Sequence, residues 1–225
     1  MEQEIAVSMR TNAGSAKTVL QQIADSGVHR VQLDALHQDF LDLTVSGARD
    51  LASTLRRLGL RASGVDFLVS PEIWEETPER TLGAFTSAVV MAEAVGSVPV
   101  GTRILEEKDV AESAILIGQQ SGVVLSTHGP VPPDDPQIGW HLPLALLLKE
   151  EKPLLTLVEA GQAPLAIRLR GEIVEESSLQ FDGSSIVLRE LRGVLDAMGW
   201  SPFAIFDCDC NDAVSFIKAW QDAGP

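Results

Sequence analysis

Short apolar runs and amphipathic stretches alternate along the whole chain. The first run, EIAVSMR at residues 4–10, has the composition of a strand, and the helix-like segment after it has Ser15 as a plausible N-cap and Gly27 as its stop. A second strand is predicted at 28–36, where Val and Leu nearly alternate with polar residues. In all, eight strand candidates are separated by helices or loops: 4–10, 28–36, 60–69, 97–101, 123–129, 138–142, 164–171 and 202–207.

Helices are predicted between these strands from their amphipathic pattern and their end signals. The longest is 77–96, with Thr77 and Pro78 at its start and Gly96 at its end. The segment SSIVLRELRGVLDAMG, residues 184–199, is also predicted to be helical throughout. The other predicted helices are 15–27, 47–59, 108–122 and 152–161.

Repeated strand–helix units imply a parallel sheet with helices packed on its outside. Eight such units favour an α/β fold with a single closed (β/α)8 TIM barrel over residues 1–225, which is slightly short against the roughly 250 residues typical of that fold. An open doubly wound sheet is the alternative. It is disfavoured because RTNAGSA, after the first strand, has one glycine where the dinucleotide-binding motif needs three.

Composition and charge exclude several classes of partner. The chain has 17 Lys and Arg against 32 Asp and Glu, a net charge of −15, which argues against binding a phosphate backbone. No apolar run approaches the roughly 18–20 residues that span a bilayer, so no membrane partner is expected. The acidic N-terminus lacks the basic region of a secretory signal, and the two cysteines are too close together to link distant segments. A cytoplasmic location is therefore expected.

The segment FDCDCND places these two cysteines among carboxylates and suggests a metal or redox site. In an extended chain, however, Asp207 and Asp209 point to one side, and Cys208 and Cys210 point to the other. A redox pair would need Cys-x-x-Cys at the start of a helix. No metal or disulfide chemistry is therefore predicted for the cysteines.

Several segments resemble a known family. GVHRVQLDAL and the following SGARDLASTLRRLGLRASGVDF are similar to the second and third βα units of the xylose-isomerase-like sugar phosphate isomerases and epimerases, and especially to a branch common in planctomycetes. The likeness resumes at SGVVLSTHG and at FDGSSIVLRELRGVLDAMGWSPFAIF. The resemblance implies a xylose-isomerase-like barrel with its chemistry at the carboxyl ends of the strands.

The resemblance also implies a divalent metal such as Mn²⁺ or Mg²⁺, held by Glu, Asp, His and Glu on strands five to eight. Those positions fall on Thr127, Leu142, Arg168 and Phe206. Apolar side chains cannot bind a cation and an arginine repels one. No metal cofactor is therefore expected, and both catalytic glutamates of the family are replaced.

A shift of the alignment by one residue gives an alternative. It would bring His128, His141, Glu172 and Asp207 to the strand ends, a set that could hold Mn²⁺ or Mg²⁺ in a relocated site. Each shift turns a side chain to the other face of its strand, so four independent shifts are less favoured than four replacements.

Two residues are candidates for catalysis, and their roles stay open. His128 ends a buried strand and either hydrogen-bonds the backbone of the next loop or acts as an acid–base group. Asp207 follows the last strand and could contribute a carboxylate. His141, between Trp140 and Leu142, is expected to pack outward.

Further residues are candidates for ligand binding. Arg168 and Arg170 alternate on one strand and so share a face, where they could hold a carboxylate or phosphate. Alternatively they pair with acids of neighbouring strands, for which Asp34 and Asp66 are natural partners. Thr127 is placed with this group because it falls on the first ligand position of the resemblance.

The sequence therefore predicts a diverged isomerase-like barrel, a pseudoenzyme or a protein of altered activity. Its expected partner is a small anionic or sugar-like ligand, or another protein. The alternative is an active sugar phosphate isomerase or epimerase with a rearranged site that uses His128, Asp207 and the arginines. A nucleic-acid-cleaving relative of the same family is disfavoured by the net charge of −15. Whether two barrels pair into a homodimer stays open.

Overall fold

The computed structural model describes residues 4–41, 43–103, 108–174 and 178–224. Within these ranges, residues 108–111 are described by their backbone alone. The strands are β1 (Ile5–Ser8), β2 (Arg30–Asp34), β3 (Arg61–Phe67), β4 (Val100–Arg103), β5 (Leu125–His128), β6 (Gly139–Pro143), β7 (Ala166–Leu169), β8 (Glu172–Val174), β9 (Ser178–Phe181), β10 (Ser184–Val187) and β11 (Phe203–Phe206). Eight of them close into a barrel in the order β1-β11-β7-β6-β5-β4-β3-β2, and all neighbouring pairs are parallel.

Helices connect the barrel strands. They are α1 (Ala16–Asp25), α2 (Val45–Arg57), α3 (Pro71–Glu76), α4 (Pro78–Ala94), α5 (Lys108–Gln120), α6 (Leu144–Leu147), α7 (Pro153–Glu159), α8 (Leu188–Ala197) and α9 (Ala213–Asp222). Short 3₁₀ turns lie at Met9–Thr11 and Gln38–Phe40. The predicted (β/α)8 barrel is confirmed, because each of the eight predicted strands overlaps a barrel strand and helices lie between most of them.

The predicted helix ends have a physical basis in the structure. The Ser15 hydroxyl accepts a hydrogen bond from the Thr18 amide at 3.3 Å, so Ser15 caps α1 as expected. Gly27 follows this helix with a φ of +81°, a conformation that glycine adopts without steric penalty. Pro78 begins α4, where its missing amide donor costs nothing.

One predicted element is wrong. Residues 184–187 are the strand β10 rather than the first turn of a helix, and the helix begins at Leu188. Strands β10, β9 and β8 form an antiparallel three-stranded sheet that is inserted between β7 and α8. The turn from β9 to β10 is Asp182-Gly183, with φ values of 48° and 79°. An Asp-Gly pair with positive φ at both residues is a strong hairpin signal, and the helical pattern after it obscured that signal.

The main hydrophobic core lies between the barrel and its helices. Trp74 is representative: its ring packs at 5.8 Å from Phe67 of β3 and at 6.1 Å from Phe85 of α4. Trp140 is fully buried and donates from Nε1 to the Gly129 carbonyl at 2.8 Å. Both tryptophans therefore stabilise the fold as core residues.

A second, smaller apolar cluster fills part of the barrel interior. It consists of Ala6, Ala166 and Ile205, with Phe203 packed against them. Their positions on β1, β7 and β11 alternate with residues that face the helices. Separately, none of the helices in the described ranges has the length and apolar content to span a membrane.

Candidate functional site

The register of β5 and β11 determines which side chains reach the barrel interior. His128 points inward: a Cβ added at Gly101 on the adjacent strand would lie 2.6 Å from its Nε2. Asp207 also points inward, because both of its oxygens accept hydrogen bonds from the interior Arg168. By alternation, the preceding residues Thr127 and Phe206 point toward the helices.

This register shows that three of the four residues aligned with the family's metal ligands do not face the barrel interior. Thr127, Leu142 and Phe206 lie on the helix side of their strands, and Phe206 packs at 5.4 Å from Phe216 of α9. Thr127 borders a separate crevice of about 300 Å³ beside Val131, so it is not brought together with the interior group. A shift of one residue exchanges the two faces of a strand, which is why the alignment selected the wrong neighbours.

His141 differs from its expected outward orientation. It is only 3% exposed, and its Nδ1 lies 3.2 Å from Nε2 of His128, so the two imidazoles meet inside the barrel. Glu172, the fourth residue of the shifted set, belongs to β8 and is exposed outside the barrel. The interior group on strands β5, β6, β7 and β11 is therefore His128, His141, Arg168 and Asp207.

Arg168 is at the centre of this group and is 4% exposed. Its Nη1 donates to both oxygens of Asp66, at 2.8 and 2.6 Å. Its other side faces Asp207, with Nη2 at 2.5 Å from Oδ1 and Nε at 3.0 Å from Oδ2. The predicted pairing of Arg168 with Asp66 is thus present, and Asp207 is a second partner that the sequence analysis did not assign to it.

Asp66 is fully buried on β3 and depends on neighbouring polar groups. Gln32 of β2 donates from Nε2 to its Oδ1 at 2.8 Å, and Gln32 is held in turn by the Ser63 hydroxyl at 2.9 Å. Burial raises the pKa of the Asp66 carboxyl, Arg168 opposes that shift, and Asp207 adds to it. The hydrogen bonds from Arg168 and Gln32 favour the ionised carboxylate.

The two interior histidines are neutral at physiological pH. Burial, followed by the nearby Arg168, lowers the pKa of His141 to about 3. Burial also lowers the pKa of His128 well below its usual value, with His141 and Arg168 contributing. In a hydrogen bond between two neutral imidazoles, one of the facing nitrogens carries the proton and the other accepts it.

A cavity of about 670 Å³ opens above this group at the carboxyl ends of the strands. His128, Arg168 and Asp207 form part of its floor, and Arg10 and Arg103 border it as exposed side chains. Among the described residues that line the cavity, Asp207 alone carries a carboxylate. The cavity is therefore positively charged within a chain of net charge −15.

Arg170 lines the same cavity as Arg168, as their alternation predicted. Its guanidinium lies 5.6 Å from the ring centre of Phe181, on the inserted hairpin, which orients it at the cavity edge. Asp34 has a different position, at the end of β2, where its Oδ1 accepts from the Leu36 amide at 3.1 Å and stabilises the following turn.

Sequence reasoning missed Arg10 and Arg103 as residues of the cavity. Arg103 is the last residue of β4, and Arg10 follows the end of β1 by two residues. Both therefore lie near carboxyl ends of barrel strands, where ligand-binding residues of this fold are found. Their strand-end positions were the available signal, and the incomplete family pattern drew attention to strands five to eight instead.

The two cysteines are free and buried, and the structure assigns them to the loop after β11. Thr11 donates to the Cys208 carbonyl at 2.7 Å, and Asn12 accepts from the Cys210 amide at 2.8 Å. Burial raises the pKa of Cys208 to about 12 and that of Cys210 to about 11. Both thiols are therefore protonated at neutral pH and are poor nucleophiles.

The side chains of Asp66, His128 and His141 are close enough to share a metal ion, since their ligand atoms lie within 4.8 Å of one another. Their present arrangement does not fit one. Both Asp66 oxygens already accept hydrogen bonds from Arg168, and one of the two facing histidine nitrogens must carry a proton. A divalent ion there would also lie beside the Arg168 charge.

Solved structures share this fold over nearly the whole chain. A D-tagatose 3-epimerase-like protein matches with a TM-score of 0.77 at 12% identity, covering 98% of this chain and 96% of its own. A xylose isomerase domain protein from Planctomyces limnophilus matches with a TM-score of 0.73 at 12% identity, covering 97% and 95%. A sugar phosphate isomerase/epimerase from Parabacteroides distasonis matches with a TM-score of 0.69 at 12% identity, covering 100% and 95%.

The chain therefore has the fold of xylose-isomerase-like proteins and sugar phosphate isomerases/epimerases, which confirms the fold that the resemblance implied. A scan against protein-family models and a search of the curated proteins find no match. A shared fold does not determine a function, so the activity has to be argued from the residues of the site.

Proposed function

We propose that this barrel binds a small polyhydroxylated anion, such as a sugar phosphate or a sugar acid, at the carboxyl ends of its strands and without a divalent metal. One observation carries the proposal: the arginines Arg10, Arg103 and Arg170 border a cavity that has Arg168 in its floor. Guanidinium groups bind phosphate and carboxylate through paired hydrogen bonds, and arginine does so with better-defined geometry than lysine.

The three arginines at the edge are exposed and supply the anion contact. Arg10, Arg103 and Arg170 come from three different strand ends, so an anion between them would be held from several sides. Arg168 differs, because its donors already face Asp66 and Asp207. We therefore assign the charged end of the ligand to the cavity edge.

Polar groups deeper in the cavity suit a hydroxylated body. The neutral His128 and the Asp207 carboxylate both border the cavity, and Thr11 adds a hydroxyl at its side. These groups can form hydrogen bonds with the uncharged hydroxyls of a sugar. The structures of a D-tagatose 3-epimerase-like protein and of an L-ribulose 3-epimerase, which share the fold, support a sugar-like ligand.

Binding is proposed in preference to isomerisation because the available carboxylates are already engaged by Arg168. Both Asp207 oxygens accept hydrogen bonds from the Arg168 guanidinium, so each already faces a donor. Asp66 is fully buried beneath Arg168. Enediolate chemistry needs a base that can take a proton from carbon, and neither carboxylate is free to do so.

The proposal is tested by calorimetric titration with ribose 5-phosphate and with unphosphorylated ribose. We expect the phosphate ester to bind at least tenfold more tightly, because only it engages the arginines at the cavity edge. Arg103→Ala combined with Arg170→Ala should weaken its binding at least tenfold, at about 1.4 kcal/mol per factor of ten.

Arg61→Ala is the matched control. Arg61 is also an exposed arginine on a barrel strand, but it begins β3 and so lies at the opposite end of the barrel. Its substitution should leave the affinity for ribose 5-phosphate unchanged. Equal affinities for the two sugars, or an affinity that is insensitive to the double substitution, would reject the proposal.

A further inference from the structure

The interior group contains the ligand types of a metal site arranged around an arginine. Two carboxylates, Asp66 and Asp207, lie on opposite sides of the Arg168 guanidinium, and the paired imidazoles of His128 and His141 lie beside Asp66. We propose that the Arg168 guanidinium is a built-in cation that occupies a latent divalent-metal site and keeps it closed to metal.

The spacing of the donor atoms supports a latent site. Nε2 of His128 lies 3.8 Å from Oδ1 of Asp66 and 3.2 Å from Nδ1 of His141. Bonds from a first-row divalent ion to nitrogen or oxygen are about 2.0–2.2 Å, so two ligands of one ion lie at most about 4.4 Å apart. Both measured separations fall within that limit. Imidazole and carboxylate together suit Zn²⁺, Co²⁺ or Mn²⁺.

The contacts of Arg168 explain how the site is closed. Its Nη1 is within hydrogen-bond distance of both Asp66 oxygens, so neither oxygen is free to approach a metal from that side. Its Nε and Nη2 engage the two oxygens of Asp207 in the same way. A divalent ion between these carboxylates would have to displace the guanidinium or tolerate its charge at close range.

Glycine at position 101 supports the same arrangement. A Cβ there would lie 2.6 Å from Nε2 of His128 and 3.3 Å from Oδ1 of Asp66. Because residue 101 has no side chain, the imidazole of His128 and the carboxylate of Asp66 can both lie against this part of β4.

Charge balance gives the reason for an arginine rather than another residue. Asp66 and Asp207 are two acidic side chains that converge on one point inside the barrel, and such a pair out of water needs a cation beside it. A guanidinium stays protonated at all physiological pH values, and its planar fork meets two carboxylates at once. Unlike a metal ion, it cannot be removed by a chelator.

The test uses Co²⁺, whose visible absorption reports nitrogen and oxygen ligation, together with calorimetric titration at pH 7.5. The wild-type protein should bind no stoichiometric Co²⁺, and EDTA should leave its melting temperature unchanged. Arg168→Met removes the charge but keeps an unbranched side chain. It should bind one Co²⁺ per chain at least a hundredfold more tightly than the wild-type protein, and His128→Ala in that background should abolish the gain.

Arg170→Met is the matched control, since Arg170 is the exposed arginine two residues further along the chain, just after β7. It should exclude Co²⁺ as the wild-type protein does. Because Arg168→Met alone leaves the buried Asp66 and the partly buried Asp207 without a cation, the variant with both Arg168→Met and Asp207→Asn is a second test. It keeps Asp66, His128 and His141 and should also bind Co²⁺.

Two results would overturn the inference. One is stoichiometric Co²⁺ binding by the wild-type protein that is lost in His128→Ala. The other is a folded Arg168→Met, or a folded Arg168→Met with Asp207→Asn, that binds no Co²⁺. Neither result depends on ribose 5-phosphate. A failure of the anion-binding proposal can therefore be distinguished from a failure of this inference.

Discussion

The two halves of the barrel interior share the strands β7 and β11 and differ in character. Toward the amino ends, Ala6, Ala166 and Ile205 form a small apolar cluster. Arg168 follows Ala166 by two residues on β7, and Asp207 follows Ile205 by two residues at the end of β11. Both belong to the ionic group. The change from hydrocarbon to paired charges therefore takes place between two successive inward-facing residues of the same strand.

This difference shows how the fold separates stability from binding. The apolar half needs only small side chains that fill the narrow interior, and its contribution is the burial of hydrocarbon. The ionic half places charged groups out of water, which is unfavourable unless every charge has a partner. Arg168, Asp66 and Asp207 satisfy one another, so their loss should be more damaging than the loss of an apolar neighbour.

The largest expected effect is that of Asp66→Asn in the ionic half. The variant keeps the volume of the side chain but leaves the buried Arg168 with one carboxylate, and it turns an amide toward donors of Arg168 and Gln32. Breaking a buried ion pair by removing one partner costs about 3–5 kcal/mol. Urea denaturation should show a loss of this size in the free energy of unfolding.

Asp34→Asn provides the comparison, because Asp34 ends the neighbouring strand β2 in register with Asp66, and its side chain makes a local hydrogen bond with the Leu36 amide. The free energy of unfolding of Asp34→Asn should fall by about 1 kcal/mol or less, the usual value for a single local hydrogen bond. A loss for Asp66→Asn that is no larger than that for Asp34→Asn would show that the ionic half is not held together by its charges.

Next in size is Ile205→Ala in the apolar half. Ile205 is 1% exposed, and truncation of a buried isoleucine costs about 2–5 kcal/mol through lost burial and the cavity that remains. We expect the lower part of that range, since small neighbours can relax into the space. Ribose 5-phosphate binding should be unchanged within twofold, measured in parallel with the urea denaturation. A tenfold loss of binding would mean that the two halves are coupled.

The smallest effect is the pH dependence of stability between pH 6 and pH 5, which arises in the ionic half. Burial lowers the pKa of His141 from 6.5 to about 3, so below pH 6.5 the unfolded chain binds a proton that the folded chain does not. Stability contributed by the neutral imidazole is therefore lost as the pH falls from 6.5 toward 3, by about 1.4 kcal/mol per pH unit. His128 acts in the same direction, whereas Asp66, whose pKa is raised, opposes it.

Urea denaturation at pH 6 and pH 5 isolates the contribution of His141. His141→Gln, which has no proton to bind in this range, should have a stability slope that is flatter by about 1.4 kcal/mol per pH unit. Ile205→Ala, which removes no titrating group, is the control and should keep the wild-type slope. An unchanged slope in His141→Gln would mean that His141 titrates normally in the folded chain.

The hairpin and the cavity show where local sequence signals were sufficient and where they were not. The turn Asp182-Gly183 could have been recognised from its two residues alone, because an Asp-Gly pair favours the positive φ values that both residues have in the structure. Arg103 and Arg10 could have been found from their strand-end positions. The pairing of Arg168 with Asp66 spans 102 residues of sequence, and only the closure of the barrel brings those two strands to the same interior.

The sequence by itself determined the number and order of the eight barrel strands and indicated the closed barrel they form, since the strands and helices are marked by local hydrophobic patterns and end signals. The tertiary structure decided which neighbour faces inward: His128 rather than Thr127, and Asp207 rather than Phe206. Strands of a parallel barrel are buried on both faces, so their apolar runs lack the alternation that would reveal the register. The segment PFAIFDCDCND thus keeps one interior carboxylate, and its partner is Arg168.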